Sequence, residues 1–455
     1  MRIAILIVAT SLAACINTAP PESADNAVPD SAYYAPTTIA PHFSAVDVQL
    51  NVVLETPDGA RLLTDVYRPS GIDSSISTVL IRVPYDKQNY TRAWGRFWAR
   101  RGFNLVLQDV RGRFASATTS DEYEPFVSDI EDARVTVDWI IRQTWSNQKV
   151  AVMGASYYGY TALAAAVSKH PAIRCVAPGF TSPDLYETSF RQGALKLSTL
   201  GIFWLNMDGD PTTYQDVSRI NTRGFPLAGI GATAGLEDRL WSNLIESWDS
   251  PAAEFRQSTD LADELLTINI PMLHSTGFYD NILGDHLRLW SRMATAAAVK
   301  ERQWLLLGPW DHELTTSSTN RVGQLDIGSE SRFAYADTIH AFFDFCLNDV
   351  ENGFDKRPMV SYFTLGKNTW QDADTWPPKN VRFEDWYLSS NGRANGGTDR
   401  GKLSKSPSDG AAYDRFKYDP RNPVDLSASY DNWSAARYLP DRRAVEGRPR
   451  HPCLP

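Results

Sequence analysis

Val152-Met153-Gly154-Ala155-Ser156-Tyr157-Tyr158-Gly159 is the stretch on which the reading of this chain turns. The apolar run Val150 to Met153 has strand character, and Tyr158 to His170 is small and Ala-rich, as a buried helix would be. Between them lies a Gly-x-Ser-x-x-Gly turn. A serine on a sharp strand-to-helix turn projects its Oγ over the end of a sheet, and the flanking glycines avoid collision with neighbouring backbone. The spacing departs by one position from the usual Gly-x-Ser-x-Gly, and a glycine-flanked serine alone is often a structural turn. The strand before and the helix after favour a nucleophile, Ser156.

The same rhythm continues on both sides. Val79 to Val83 and Phe103 to Gln108 read as short strands separated by a helix around Thr91 to Arg101. Asp129 to Gln143 reads as a helix with Val135, Trp139 and Ile140 on one face. Ile173 to Ala177, Pro271 to Ser275 and Trp304 to Leu307 repeat the strand signature, and Ala334 to Leu347 is the last helix. Val46 to Leu54 and Arg61 to Tyr67 alternate around the turn Pro57-Asp58-Gly59, which predicts a hairpin. Strands alternating with helices predict a mostly parallel α/β sheet. Ser182 to Leu266 is Leu-, Trp- and Asp-rich with no clear strand, as expected of a helical cap over a ligand crevice. From Lys356 onward, Val360 to Leu365, Phe383 to Leu388 and Gly/Asn clusters predict an all-β, jelly-roll-like domain. The expected organisation is a signal peptide (1–14), a tether (15–45), an α/β unit in two parts (46–181 and 267–355), a cap (182–266) and a C-terminal β domain (356–455).

The 455 residues carry 45 basic and 54 acidic side chains, a net charge of −9. With a pI near 5.4 the chain lacks the basic footprint of a nucleic-acid binder. Its 43% apolar and 22% charged residues are globular values, and 14 Trp, 19 Tyr and 19 Phe supply a large core and a pocket. Four cysteines without a Cys-x-x-Cys pair argue against a disulfide scaffold or zinc site; Cys175 and Cys346 read as buried small hydrophobes, not as a bridge. Neither a metal nor another cofactor is expected. There is no His-Glu-x-x-His, and Gly229-Ile230-Gly231 with Gly235 lacks the preceding strand of a dinucleotide site.

At the start, Ile3 to Ala14 is a twelve-residue apolar run behind Arg2, too short to span a bilayer but suited to a secretory signal. It closes on Leu12-Ala13-Ala14-Cys15, which resembles a bacterial lipobox. That resemblance implies lipidation of Cys15; ordinary cleavage with Cys15 unmodified is the alternative. Pro20 to Pro41 has the composition of a tether. The expectation is an exported lipoprotein anchored to a membrane, periplasmic or outer-membrane, with Ile16 favouring the outer membrane of a Gram-negative source.

A nucleophilic serine needs a base and an orienting acid, and α/β-hydrolases place them in the order Ser, Asp, His. Asp280 follows the strand at Pro271, in Thr276-Gly277-Phe278-Tyr279-Asp280. His312 follows the strand at Trp304, in Leu307-Gly308-Pro309-Trp310-Asp311-His312. Both fall at carboxyl ends of strands, where an open α/β sheet builds its site. His170 and His340 lie on helices as capped or surface residues, His274 sits inside a strand, His286 opens a helix, and His42 and His451 are in the tails. Asp311 reads as a loop cap and Asp285 as a helix N-cap. The predicted fold is therefore an α/β-hydrolase with a cap insertion and an appended β domain.

Arg82-Val83-Pro84-Tyr85-Asp86-Lys87, Gln108-Asp109-Val110-Arg111-Gly112-Arg113-Phe114-Ala115-Ser116, the serine turn, Gly277-Phe278-Tyr279-Asp280 and Gly308-Pro309-Trp310-x-His312 together resemble the cocaine-esterase-like hydrolases, relatives of the Xaa-Pro dipeptidyl-peptidases. The resemblance runs from about Val46 to Pro449. It implies an oxyanion hole made by the Tyr157 backbone N–H and the Tyr85 hydroxyl. A phenol donating to a developing alkoxide is physically apt, and one such donor is commonly worth ~3–4 kcal/mol. Asp109 and Arg111 are expected to form a buried structural ion pair.

The family contains esterases, amidases, amino-ester hydrolases and dipeptidyl peptidases. In its amino-ester hydrolases, carboxylates two and three residues after the acid hold the substrate ammonium; here those positions are Ile282 and Leu283. Glu187 in the cap is a candidate replacement. The expected activity is metal-free hydrolysis of small-molecule esters or amides through an acyl-enzyme. Xaa-Pro dipeptidyl-peptidase or amino-ester hydrolase activity, and an inactive lipid-anchored binding protein, are the alternatives. Finally, the run Asp441 to Pro449 leads in the family into further jelly-roll strands, whereas here Arg450-His451-Pro452-Cys453-Leu454-Pro455 follows. This predicts a shortened β domain with exposed apolar faces.

Overall fold

The computed structural model describes residues 37–90, 92–117, 123–196, 229, 238–246, 250, 253–296, 302–312, 320–322, 325–390, 392, 394, 401–408 and 413–414. Ten strands build one sheet: β1 (Val46–Glu55), β2 (Arg61–Pro69), β3 (Ile76–Val83), β4 (Asn104–Asp109), β5 (Ser146–Ala155), β6 (Ile173–Gly179), β7 (Met272–Gly277), β8 (Gln303–Gly308), β9 (Val360–Thr364) and β10 (Thr369–Ala373). Their spatial order is β1-β2-β4-β3-β5-β6-β7-β8-β9-β10. From β4 to β9 every pairing is parallel; β1–β2, β2–β4 and β9–β10 are antiparallel. The expected hairpin and parallel sheet are both present.

Ten helices among the described residues accompany the sheet: α1 (Lys87–Tyr90), α2 (Arg92–Ala99), α3 (Asp129–Ile141), α4 (Ser156–Val167), α5 (Leu185–Ser189), α6 (Asp238–Glu246), α7 (Glu254–Ser258), α8 (Ala262–Leu265), α9 (Leu283–Thr295) and α10 (Tyr335–Leu347). Side chains of a strand alternate between faces, so a strand buried on both sides is apolar throughout. In β5, Val150 and Val152 join the core under α3 and α4, while Ala151 and Met153 face α2 and α10. The second face is aromatic: Trp98 of α2 packs on Phe343 of α10 and on Phe103, with ring centroids 5.2 and 5.7 Å apart. Fully burying such a side chain contributes about 1.5–3 kcal/mol. α4 instead presents Ala162, Ala164, Ala165 and Ala166, all buried, and so lies close against the sheet.

Several expectations need correction. Cys175 and Cys346 form a disulfide across 171 residues, with Cα atoms 6.2 Å apart. The alternation of β6 sends Cys175 to the α10 face, and no local pattern announces a pairing at that separation. The strand expected at Val360 to Leu365 is present, and it also continues the central sheet: β9 pairs in parallel with β8, and β10 folds back onto β9. Of Phe383 to Leu388 only the end is strand, in an exposed pairing of Tyr387–Ser389 with Lys402–Ser404. The described parts of 182–266 are α5 to α8 and a two-residue hairpin, Phe190–Arg191 with Ala194–Leu195. The signal, Cys15, most of the tether, Gly231, Gly235 and the chain from Asp441 lie outside the described residues.

Candidate active site

Ser156 is the first residue of α4, immediately after β5, with φ +56°. A non-glycine residue in this region is strained and persists only when its surroundings hold it. They do so through the glycine two residues earlier and through Phe180. A Cβ on Gly154 would lie 2.0 Å from the Tyr158 carbonyl oxygen, so only glycine lets the chain fold back this tightly. Gly159 fills the role that the shifted spacing left open: its Cβ would lie 2.7 Å from the Gly179 carbonyl oxygen of β6. Phe180, itself at φ +48°, donates its N–H to Ser275 at 2.8 Å and accepts the Ser156 N–H at 3.2 Å. Its ring stands edge-on to His312, centroids 6.4 Å apart. Phe180 thus links the serine turn to β7 and to the histidine, a role no sequence pattern signals.

Asp280 and His312 are brought together: His312 Nδ1 lies 2.9 Å from Asp280 Oδ1, and both side chains are buried. Asp280 Oδ1 also accepts the Ile282 N–H at 3.1 Å, and Thr276 Oγ1 stands 3.5 Å from Oδ2. The two loops are stitched through their backbones. The Phe278 N–H donates to the Gly308 carbonyl at 2.9 Å and the Tyr279 N–H to the Trp310 carbonyl at 3.0 Å. Trp310, fully buried among Phe180, Phe333, Tyr335 and Trp370, is the plug that sets this crossing. Ser156, Asp280 and His312 all follow carboxyl ends of strands in one parallel sheet, β5, β7 and β8.

Tyr157 turns its side chain inward, stacked on Phe126 with centroids 3.8 Å apart. Its hydroxyl accepts the Phe126 N–H at 2.5 Å, and burial pushes its pKa well above the ordinary value. The phenol is therefore committed to the core, and the group available to a substrate is the backbone N–H in the first turn of α4. Tyr85 follows β3, half-buried, with its ring edge-on to Tyr158 at 6.3 Å.

The rival residues resolve differently. Asp109 pairs with Lys87 at 3.0 Å, and Arg111 with Asp132 at 2.6 Å and Asp58 at 2.5 Å, so the expected Asp109–Arg111 pair does not form. β4 ends at Asp109, and the strand alternation that would keep both on one face ends with it. Asp285 is not an N-cap: Ile282 occupies that position, and Asp285 lies in the first turn of α9, salt-bridged to Arg288 at 2.6 Å. Glu187 also pairs with Arg288, at 3.2 Å. His340 is buried rather than superficial, against Trp98 and 3.1 Å from Asp344. His170 is capped by Asp138 at 3.2 Å.

His274 and His286 form a buried relay beneath the site. The Thr181 N–H lies 3.2 Å from His286 Nδ1, His286 Nε2 lies 3.3 Å from His274 Nδ1, and His274 Nε2 lies 2.9 Å from Gln303 Oε1. The Thr181 carbonyl also lies 3.0 Å from His286 Nδ1. With one proton on each Nε2, the histidine–histidine and histidine–glutamine contacts each have one donor and one acceptor, which suits two neutral imidazoles. Burial lowers the His274 pKa to about 4; burial, then its neighbour, lowers that of His286 to about 3. In the unfolded chain both would titrate near 6.5. Below that pH the unfolded state binds more protons, so the stabilisation is complete above 6.5 and is lost as pH falls toward 4 and then 3. Each histidine is expected to contribute up to about 1.4 kcal/mol per pH unit in this window. Urea unfolding from pH 7 to 4 measures it; the slope should flatten in His286→Asn, and an unchanged slope would remove the relay from the account.

The model for the X-Pro dipeptidyl-peptidase (S15) family matches residues 58–313, and that for the X-Pro dipeptidyl-peptidase C-terminal non-catalytic domain matches residues 352–444. The sequence is 32% identical over 404 residues to a cocaine esterase of Rhodococcus sp. (strain MB1 Bresler), covering 83% of this chain and 68% of that protein. Among solved structures, an α-amino acid ester hydrolase aligns with TM-score 0.70 and 22% identity, over 97% of this chain and 74% of that one. An aminopeptidase from a marine-sediment Thaumarchaeota archaeon aligns with TM-score 0.66 and 23% identity, over 91% of this chain and 73% of that one. The fold is that of an α/β-hydrolase with a separate C-terminal domain, mainly of strands.

Proposed function

The chain belongs to the X-Pro dipeptidyl-peptidase (S15) family of serine hydrolases, and from that premise we propose that it cleaves carboxylic esters through Ser156. The observation that carries this reading is the 2.9 Å Asp280–His312 pair, delivered by stitched loops to the end of the sheet where Ser156 sits. In the proposed mechanism Ser156 Oγ attacks the substrate carbonyl while His312 takes its proton. Asp280 fixes the tautomer of His312 and stabilises the imidazolium that forms. The tetrahedral oxyanion is held by the Tyr157 N–H and the Tyr85 hydroxyl. His312 then protonates the leaving group, and water hydrolyses the acyl-enzyme with the same base.

Esters without an α-amino group are favoured over dipeptide-like substrates. Ile282, two residues beyond Asp280, is apolar and buried, and Glu187 is already neutralised by Arg288. The test is a panel of p-nitrophenyl butyrate, β-lactam amides and Gly-Pro anilide. Short-acyl esters are expected to react and the anilide to react weakly; preference for the anilide would overturn this specificity.

Export and lipidation at Cys15 belong to the same reading. They are supported by the Cys175–Cys346 disulfide, a bond characteristic of oxidising compartments. Several acyl chains at one terminus hold far more firmly than one. Cys15→Ser is expected to move the protein from the membrane to the soluble fraction, and an unchanged distribution would count against the anchor.

A further inference from the structure

Two residues beyond Tyr85, Lys87 is 1% exposed and sits between two fully buried carboxylates. Its ammonium lies 3.0 Å from Asp109 Oδ2 and 3.7 Å from Asp65 Oδ1, and it donates to Asn51 Oδ1 at 2.8 Å. The carboxylates are satisfied further. Asp65 accepts the Asn51 N–H at 2.7 Å and the Gln88 side-chain amide; Asp109 accepts the Lys87 N–H at 2.8 Å and the Ala115 N–H at 3.3 Å. Even so, burial raises both carboxyl pKa values. A well-packed apolar cluster would often be as stable as such buried charges. Their placement suggests another use.

The cluster ties down the turn that carries Tyr85. On one side, the Pro84 carbonyl accepts Arg113 Nε at 3.2 Å. On the other, Asp86 stands at φ +67° with its carboxylate on the Gln88 N–H at 3.0 Å, and Lys87 is bound to Asp109 through both its backbone and its side chain. The backbone before Tyr85 is thereby tied to the loop that follows β4, and the backbone after it to β1, β2 and β4. An oxyanion donor contributes fully only when it is held in place before the reaction.

We propose that Lys87 is a positioning residue: its clamp on Asp109, Asp65 and Asn51 fixes the turn and so aims the Tyr85 hydroxyl at the oxyanion. The proposal rests on the serine-hydrolase reading with Tyr85 as donor. The experiment is a pair of double-mutant cycles on p-nitrophenyl butyrate hydrolysis. Tyr85→Phe alone is expected to lower kcat by ~10²–10³-fold. Lys87→Met is expected to lower kcat by about 30–100-fold, with KM within about threefold, because displacing a catalytic group by about 1 Å costs that order. In the Tyr85→Phe background the same substitution should change kcat by less than about threefold, since the donor it positions is gone.

Asn51→Gly serves as the second variant. It removes one acceptor without stranding a buried charge, and glycine accepts the φ of +54° at this position. A loss of about fivefold in kcat is expected, again absent in the Tyr85→Phe background. This cycle decides alone if Lys87→Met does not fold. Equal losses in both backgrounds, or no loss from either clamp variant while Tyr85→Phe is impaired, would refute the positioning role and leave the mechanism standing. Full kcat in Tyr85→Phe would refute the donor assignment and this proposal with it.

Discussion

Ser156→Ala is expected to lower the kcat for p-nitrophenyl butyrate by ~10⁵–10⁶-fold, and Asp280→Asn by ~10⁴-fold, with both proteins folded. The difference follows from what each substitution removes. Alanine in place of Ser156 deletes the attacking atom, and what remains is binding and the oxyanion donors acting on water. Asparagine in place of Asp280 can keep the shape: its oxygen can still accept from His312 and from the Ile282 N–H, and its amide can face Thr276. It removes the charge that stabilises the imidazolium, and its amide can also bond His312 in the wrong tautomer. Neither change creates a large cavity, so urea midpoints should stay close to wild type. Equal turnover by Ser156→Ala and the parent protein would end the serine mechanism, whatever the family.

The second large effect falls on a residue that touches no substrate. Gly277→Ala places a Cβ 2.1 Å from the Trp310 carbonyl oxygen, the atom that accepts the Tyr279 N–H. Because the obstacle is backbone, relief requires the acid loop and the histidine loop to separate. Overpacking of this kind costs typically 1–3 kcal/mol and occasionally more, and the upper end is expected here. The effect on kcat should be larger, ~10²-fold or more, since a shift of about 1 Å between Asp280 and His312 breaks the pair. Gly229→Ala is the matched control, with nothing among the described residues within 4 Å of the added methyl group. Wild-type kcat and stability in Gly277→Ala would show that the loops can part without consequence.

These two sites illustrate what a sequence exposes. Val150 to Met153 is legible because local period and flanking glycines encode both the strand and the serine turn. Asp280 and His312 are legible because each stands a few residues beyond an apolar strand, where a parallel sheet gathers its loops. The reading fails where partners are distant in sequence. Cys175 and Cys346 look like ordinary core residues, and only the facing of β6 and α10 makes them a pair. Lys87 stands within a quoted motif, but its partners Asn51, Asp65 and Asp109 come from three different strands. The strand at Val360 belongs to the stretch matched as the C-terminal domain, and its backbone hydrogen bonds to β8, which composition does not show, also add it to the central sheet. Asp285 stands in the first turn of α9, beyond an N-cap filled by Ile282, which offers no side-chain oxygen and so gives the sequence no capping signal to read.

The Cys175–Cys346 bond also makes the protein a lasso. The covalent loop it closes contains the cap, Asp280 and His312, while Ser156 lies on the tail that precedes it. A protease that cuts once anywhere between the two cysteines cannot release either product. The pieces would migrate as one band without thiol and as two with it. Nicked molecules would keep acid, base and nucleophile on a single covalent body, and the halves would separate only once the disulfide is reduced.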